Sequence, residues 1–171
     1  SQFQALAPEL SAHYDVHQLN FSGHGGLPFS DQGFSIQVFA AEVLSYLESH
    51  QLGYVHIFGY SMGGYVAMYL ARHYPEKTGR IITLATKYNW NEATAGKEVK
   101  QLNPALIEEK VPSFARLLEE RHSAAGWKTV VTRTAQLIEE LGHQSLLKQA
   151  DYAQIASPCM LIMGDRDNMV S

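Results

Sequence analysis

Residues 59–64 read Gly-Tyr-Ser-Met-Gly-Gly, a serine with a glycine two positions to either side. The preceding run, Tyr-Val-His-Ile-Phe at 54–58, has the length and apolar character of a strand. The following residues, 62–74, have helical spacing and stop at Pro75. A serine caught between a strand end and a helix start must turn sharply, and Gly59 and Gly63 leave room for the backbone to close on itself. Such a turn exposes the Ser61 hydroxyl beside a helix N-terminus, where free N–H groups favour developing negative charge. The Met62 N–H is then one candidate donor to an oxyanion, and Gly64 lets the helix lie close to the sheet. The plain alternative is a glycine-rich turn that only caps a helix. A phosphate loop fits poorly, because no lysine follows the glycines.

A serine hydroxyl is a weak nucleophile at neutral pH, and it needs a base that is itself oriented by a carboxylate. Asp165 and Asp167 follow the apolar run 158–163, and so should lie at the strand edge that carries Ser61. Asp167 sits three residues past Gly164, far enough to reach sideways, and is expected as the orienting acid. Asp165 is expected to serve the turn itself. The base should be a histidine. Of the eight present, His13, His17 and His56 lie on or beside strand-like runs, His50 and His73 at helix ends, and His122 and His143 in a helical stretch. His24, in the loop SGHGGLPFS, is the one candidate near the right edge, and its loop setting reads as structural. The base is therefore expected beyond residue 171. Metal chemistry has no support: there is no HExxH, and no histidine pair has ligand spacing beside an acid.

These residues need a scaffold. Residues 14–19 alternate like a strand, 22–30 form a loop, and Ile36, Phe39, Ala40, Val43, Leu44 and Leu47 repeat at helical spacing behind a Ser35 cap, with Gly53 beyond the helix end. Residues 80–85 read as a further strand. Apolar strands alternating with helices imply a parallel sheet covered on both faces. Between 87 and 149 no strand-like run appears. Pro104 and Pro112 sit where helices could begin, and Trp127, Val130, Val131, Thr134, Leu137, Ile138 and Leu141 form one long apolar stripe with Gly142 as the expected C-cap. This block reads as three or four helices inserted between strands of one sheet, which places a cap over the ligand-binding edge. The expected division is 1–86 for the first part of the α/β core, 87–150 for the helical cap and 151–171 for the return to the core. Tyr60, Trp90, Phe114, Trp127 and Met169 are candidates to line or support a pocket under that cap, suited to a small, mostly apolar group. At the start, Phe3, Leu6 and Leu10 mark a short amphipathic helix that Pro8 should kink or end.

The composition narrows the alternatives. The 171 residues carry 13 Lys and Arg against 17 Asp and Glu, a net charge of −4, with no basic block, which argues against nucleic acid as a partner. Hydrophobic residues make up 46% and charged residues 18%, a globular balance. The apolar runs are strand-sized, too short to span a membrane, and the lone Cys159 excludes an internal disulfide. No leader-like segment opens the chain, so a cytoplasmic setting is expected. Nothing in the sequence speaks to oligomeric state.

In this order the motifs resemble the α/β-hydrolase superfamily over nearly the whole chain. Asn20-Phe21-Ser22-Gly23-His24-Gly25 is similar to its Asp-x-x-Gly-His-Gly loop, with Asn20 in place of the aspartate. GYSMGG resembles its nucleophile elbow, 87–149 its helical cap, and Gly164-x-x-Asp167-x-x-Val170 the loop that bears its triad acid. The resemblance implies a serine esterase-like enzyme without a cofactor, acting on a small ester, thioester or lactone through an acyl-enzyme. It also implies strands before residue 14, a second oxyanion donor on them, and a triad histidine after residue 171, so that the chain reads as truncated at both ends. A serine nucleophile sets it apart from the dehalogenases of that superfamily. The other reading left open is a non-enzymatic member that binds a small ligand or partner under the cap.

Overall fold

The computed structural model describes residues 3–167, and among them three parallel strands form one sheet in chain order. The first helix, α1 (Leu6–Ser11), contains Pro8 without breaking, because Pro8 lies in the first turn, where its missing N–H has no intrahelical partner to lose. Residues 14–19, expected as a strand, run without strand structure. Alternation makes a segment able to pair, but a strand exists only with a ladder partner, and among the described residues none lies beside it. The 22–30 loop is closed by Gly23 N–H to Pro28 O and by His24 N–H to Phe21 O.

Helix α2 (Ile36–Ser49) begins where expected, with the Ser35 hydroxyl accepting from Val38 N–H, and it buries Ile36, Phe39, Ala40 and Leu47. It ends earlier than Gly53: His50 is the cap, and Gln51 takes the left-handed conformation at φ 56°. Strand β1 (Val55–Tyr60) leads through Ser61 into α3 (Met62–His73). A 3₁₀ turn at Pro75–Lys77 then feeds β2 (Thr78–Leu84). The register sets Tyr60 beside Leu84 and Leu84 beside Ile162 in β3 (Cys159–Ile162), so all three strands finish at one edge. β3 pairs with β2 along one side, and its residues are exposed.

Between β2 and β3 lie α4 (Glu92–Val99), α5 (Pro104–Lys110), α6 (Pro112–Arg121), α7 (Trp127–His143) and the single turn α8 (Gln149–Tyr152). Pro104 and Pro112 open their helices as expected. Gly142 does not cap α7. The helix runs on to His143, and Gly142 is buried where a Cβ would sit 2.4 Å from the Ala95 Cβ of α4. Glycine is used there for close helix packing rather than for termination. The main core joins Ile36 and Phe39 of α2, Tyr65, Val66 and Leu70 of α3, Ile81 of β2 and Leu137 and Leu141 of α7. A second, smaller cluster, Ile107, Ala115, Trp127 and Val131, lies within the cap. The cap's entry is pinned by a buried ion pair, Lys87 to Glu98, and its return by Tyr65 of α3, whose hydroxyl accepts from Leu147 N–H at 3.2 Å. Among the described residues no helix is long and apolar enough to cross a membrane.

Candidate active site

Each parallel strand delivers one candidate to the common edge: Ser61 after β1, Thr86 after β2 and Asp167 after β3. Ser61 has φ 50° and ψ −116°, the positive φ expected of the turn and a sparsely populated conformation for a residue with a Cβ. Strain of this kind is on the order of 1–3 kcal/mol and persists only where the surroundings impose it. Here they do. The Ser61 N–H donates to Leu84 O at 2.8 Å, and its carbonyl accepts from Gly64 N–H at 3.0 Å, Tyr65 N–H at 3.3 Å and the Thr86 hydroxyl at 3.0 Å.

The close approaches fall at Gly59 and Gly64. A Cβ on Gly59 would meet Gly63 O and the Gly64 backbone at 2.5 Å; one on Gly64 would meet Thr86 Oγ1 at 2.1 Å and Thr83 Cβ at 3.0 Å. At Gly63 an added Cβ meets nothing within 4 Å, so the tight packing of this turn rests on its first and last glycines. Ser61 is exposed at the surface. Met62, the first residue of α3, keeps an N–H with no acceptor among the described residues, as helix starts do.

Asp167 closes the turn after β3 by donating its N–H to Gly164 O at 3.2 Å, and its side chain is half-buried. Asp165, within the turn, is exposed. With one strand between them, β1 and β3 lie about 10 Å apart at the usual interstrand spacing.

His24 is held elsewhere. Its ring stacks on Phe34 with centroids 5.4 Å apart, meets Phe39 edge-on, and bonds through Nδ1 to Ser22 O at 3.1 Å. Across from it lies His122 at the end of α6, with ring centroids 5.6 Å apart. Burial pushes the pKa of both rings below the ordinary histidine value; the Ser22 carbonyl and Glu42 oppose this at His24, and the neighbouring Arg121 adds to it at His122. Asn20 lies over Gly25, which adopts φ 57° and has no space for a Cβ. This loop is a packed unit, and among the described residues no histidine bonds to the Ser61 hydroxyl.

The expected pocket residues within the described part have separate surroundings. Tyr60 is exposed beside Ser61. Trp90 packs against the main core under the Lys87 ammonium, 5.5 Å from its ring centroid, and its buried Nε1 has no hydrogen-bond partner among the described residues. Trp127 is buried in the cap's own cluster, as an aromatic stripe at helical spacing usually is. Phe114 is exposed, and Met169 lies outside the described residues. A hollow lined by Phe34, Arg133, Gln136, Leu137 and Glu140 does not include Ser61. Among the described residues no group of three or more His, Cys, Asp or Glu could hold a metal ion. Thr86 and the Lys87–Glu98 pair escaped the sequence reading. Their partners are set by strand register and helix packing, and neither leaves a local pattern.

Comparison with known proteins places this geometry. The family model for the alpha/beta hydrolase fold matches residues 1–171. Over 84 residues the chain is 34% identical to a pimeloyl-[acyl-carrier protein] methyl ester esterase of Neisseria meningitidis serogroup C, covering 49% of this chain and 31% of that protein. The esterase of the same name from Aeromonas hydrophila is 32% identical over 85 residues, covering 49% and 32%. The chain thus matches about a third of the length of these relatives. Among solved structures, a hydrolase from Pseudomonas aeruginosa PA01 superposes with a TM-score of 0.73 at 22% identity, over 99% of this chain and 69% of that one. A thermophilic esterase from Thermogutta terrifontis gives 0.72 at 17% identity, over 98% and 67%. At these identities the likeness is one of fold.

Proposed function

The chain belongs to the α/β-hydrolase fold family, and from that premise we propose that it carries the nucleophile of a serine hydrolase acting on a small carboxylic ester, thioester or lactone. The observation that carries the reading is the strained, exposed Ser61 between β1 and α3. The local likeness to methyl ester esterases favours an ester among the possible acyl substrates.

In this scheme Ser61 Oγ attacks the carbonyl carbon while a histidine, contributed beyond residue 171, takes its proton. Asp167 bonds the far nitrogen of that ring, holds its tautomer and stabilises its charged form. The negative oxygen of the tetrahedral intermediate lies against the Met62 N–H and a second donor supplied from outside the described residues. The histidine then protonates the leaving alcohol, and the acyl group stays on Ser61. Water, activated by the same histidine, attacks the acyl-enzyme and releases the acid. Each step of this scheme is carried by side chains, the two oxyanion donors and water.

The test uses the full-length protein and a fluorophosphonate. A stoichiometric adduct is expected on the Ser61 peptide, absent in Ser61→Ala, with the melting temperature nearly unchanged because the hydroxyl is exposed. Ester hydrolysis should fall by orders of magnitude in Ser61→Ala and in Asp167→Asn, and little in Asp165→Asn. Adduct on another residue, or Ser61→Ala keeping more than about a tenth of kcat, overturns the assignment. If Asp165→Asn is the impaired variant instead, the orienting acid is Asp165.

A further inference from the structure

Ser61 O and Met62 N–H belong to one peptide unit. A planar trans peptide points its two polar groups in opposite directions, so whatever holds the carbonyl also aims the N–H. Three donors converge on that carbonyl. Two, Gly64 N–H and Tyr65 N–H, come from α3 and would be present at any helix start. The third is a side chain from the neighbouring strand's exit, the Thr86 hydroxyl at 3.0 Å.

Thr86 is itself tightly placed. It is 4% exposed, and its Oγ1 fills the space that a Cβ on Gly64 would need. Its hydroxyl also lies 3.4 Å from Leu84 O, the carbonyl that accepts the Ser61 N–H. The preceding Ala85 adopts φ 52°, a conformation rare for a residue with a side chain, and its N–H donates to Ile162 O of β3 at 2.9 Å. Two left-handed non-glycine residues, Ser61 and Ala85, therefore stand at adjacent strand ends. A hydrogen-bonded path runs from β3 through Ala85 and Thr86 to the peptide after Ser61.

We propose that Thr86 is a positioning residue for the oxyanion donor: by holding the Ser61 carbonyl, its hydroxyl aims the Met62 N–H at the reacting oxygen. Thr86 touches no substrate atom. It acts through the peptide it holds, and it adds one more donor to polarise that peptide. This rests on the serine-hydrolase reading given above.

The experiment compares Thr86→Val, Thr86→Ser, Ser61→Ala and Thr78→Val in the full-length protein, with p-nitrophenyl acetate turnover and fluorophosphonate labelling as readouts. Thr78 is a buried threonine near the opposite end of β2, bonded to Pro75 O and Ser157, and serves as a control for lost stability alone. Thr86→Val should lower kcat about tenfold with KM little changed, since small misplacements of catalytic groups are expensive in rate. It should slow labelling of Ser61 in parallel. Thr86→Ser should restore both. Should the valine form not fold, Thr86→Ala loses the same bond without adding a methyl group and gives the same readout. The proposal is overturned if Thr86→Val keeps its kcat, if it changes only KM, or if Thr78→Val with an equal loss of melting temperature is equally slow. If Ser61→Ala stays active, the hydrolase reading fails first and this role falls with it.

Discussion

The two halves of α7 keep different company. Its C-terminal half places Leu137 and Leu141 among Ile36, Phe39 and Val66 in the main core, and Gly142 lets α4 approach so closely that no side chain fits between them. Its N-terminal half places Trp127 and Val131 against Ile107 and Ala115, with Leu102 and Leu118 partly buried beside them, in a smaller cluster the cap makes for itself. The outer helices α5 and α6 have few other anchors: an exposed Lys128–Glu108 pair, which contributes little, and His122 meeting His24. One helix thus belongs to two units of unequal size. The inner cap is part of the α/β core's packing, and the outer cap is a small cluster attached to it. Local stability follows buried apolar contact, so the outer cap is the part expected to open under ordinary fluctuation.

The largest effect is expected at the inner end. Leu141→Ala should destabilise the whole fold by about 2–5 kcal/mol, the usual range for a buried leucine truncated in a core, measured by denaturant unfolding. A loss under about 1 kcal/mol would mean that the inner half of α7 is not part of the cooperative core. Trp127→Ala removes more volume from a smaller cluster. Its effect should appear as faster amide exchange across α5 and α6, with the global melting temperature nearly kept. Equal global losses from the two variants would make core and cap a single cooperative unit.

The smallest effect concerns the contact between His122 and His24. Burial lowers both pKa values in the folded chain, so below the ordinary histidine pKa of about 6.5 the unfolded chain binds more protons than the folded one. Their contribution to stability is present above that pH and is lost as pH falls through it. Glu42 favours the charged form of His24, and Arg121 disfavours that of His122. His122→Gln should therefore lose less melting temperature than the parent between pH 7.5 and pH 5.5. An identical pH profile would show that His122 takes no part.

Features written in a few adjacent residues were legible in the sequence. The Ser35 cap and the helix starts at Pro104 and Pro112 depend on neighbours within four positions, and the glycines that mark the turn at Ser61 lie within three. What depended on distant partners was not. Residues 14–19 have the alternation of a strand, and among the described residues no strand pairs with them. Gly142 resembled a cap because a glycine that admits Ala95 of another helix looks, from sequence, like one that ends its own. Trp127 could be named as apolar and helical, but which cluster it would join was not written locally. Thr86 carried no signal, since only the alignment of Tyr60 with Leu84 brings it to Ser61.

The exposure of β3 has a practical meaning for anyone who purifies residues 1–171 alone. Met160, Leu161 and Ile162 of β3 and the following Met163 are each between 40% and 58% exposed, and the far side of β3 has no ladder partner among the described residues. Unpaired apolar edges are adhesive and recruit strands from other molecules. In colloidal terms, residues 1–171 should behave as a sticky-ended particle: their size-exclusion profile should move to larger species as concentration rises, and Leu161→Lys should return it to the size of a single chain. A concentration-independent monomer would show that the border is not sticky. If the expected behaviour appears, clumping reports on a bare strand border and says nothing against the fold of the chain that bears it.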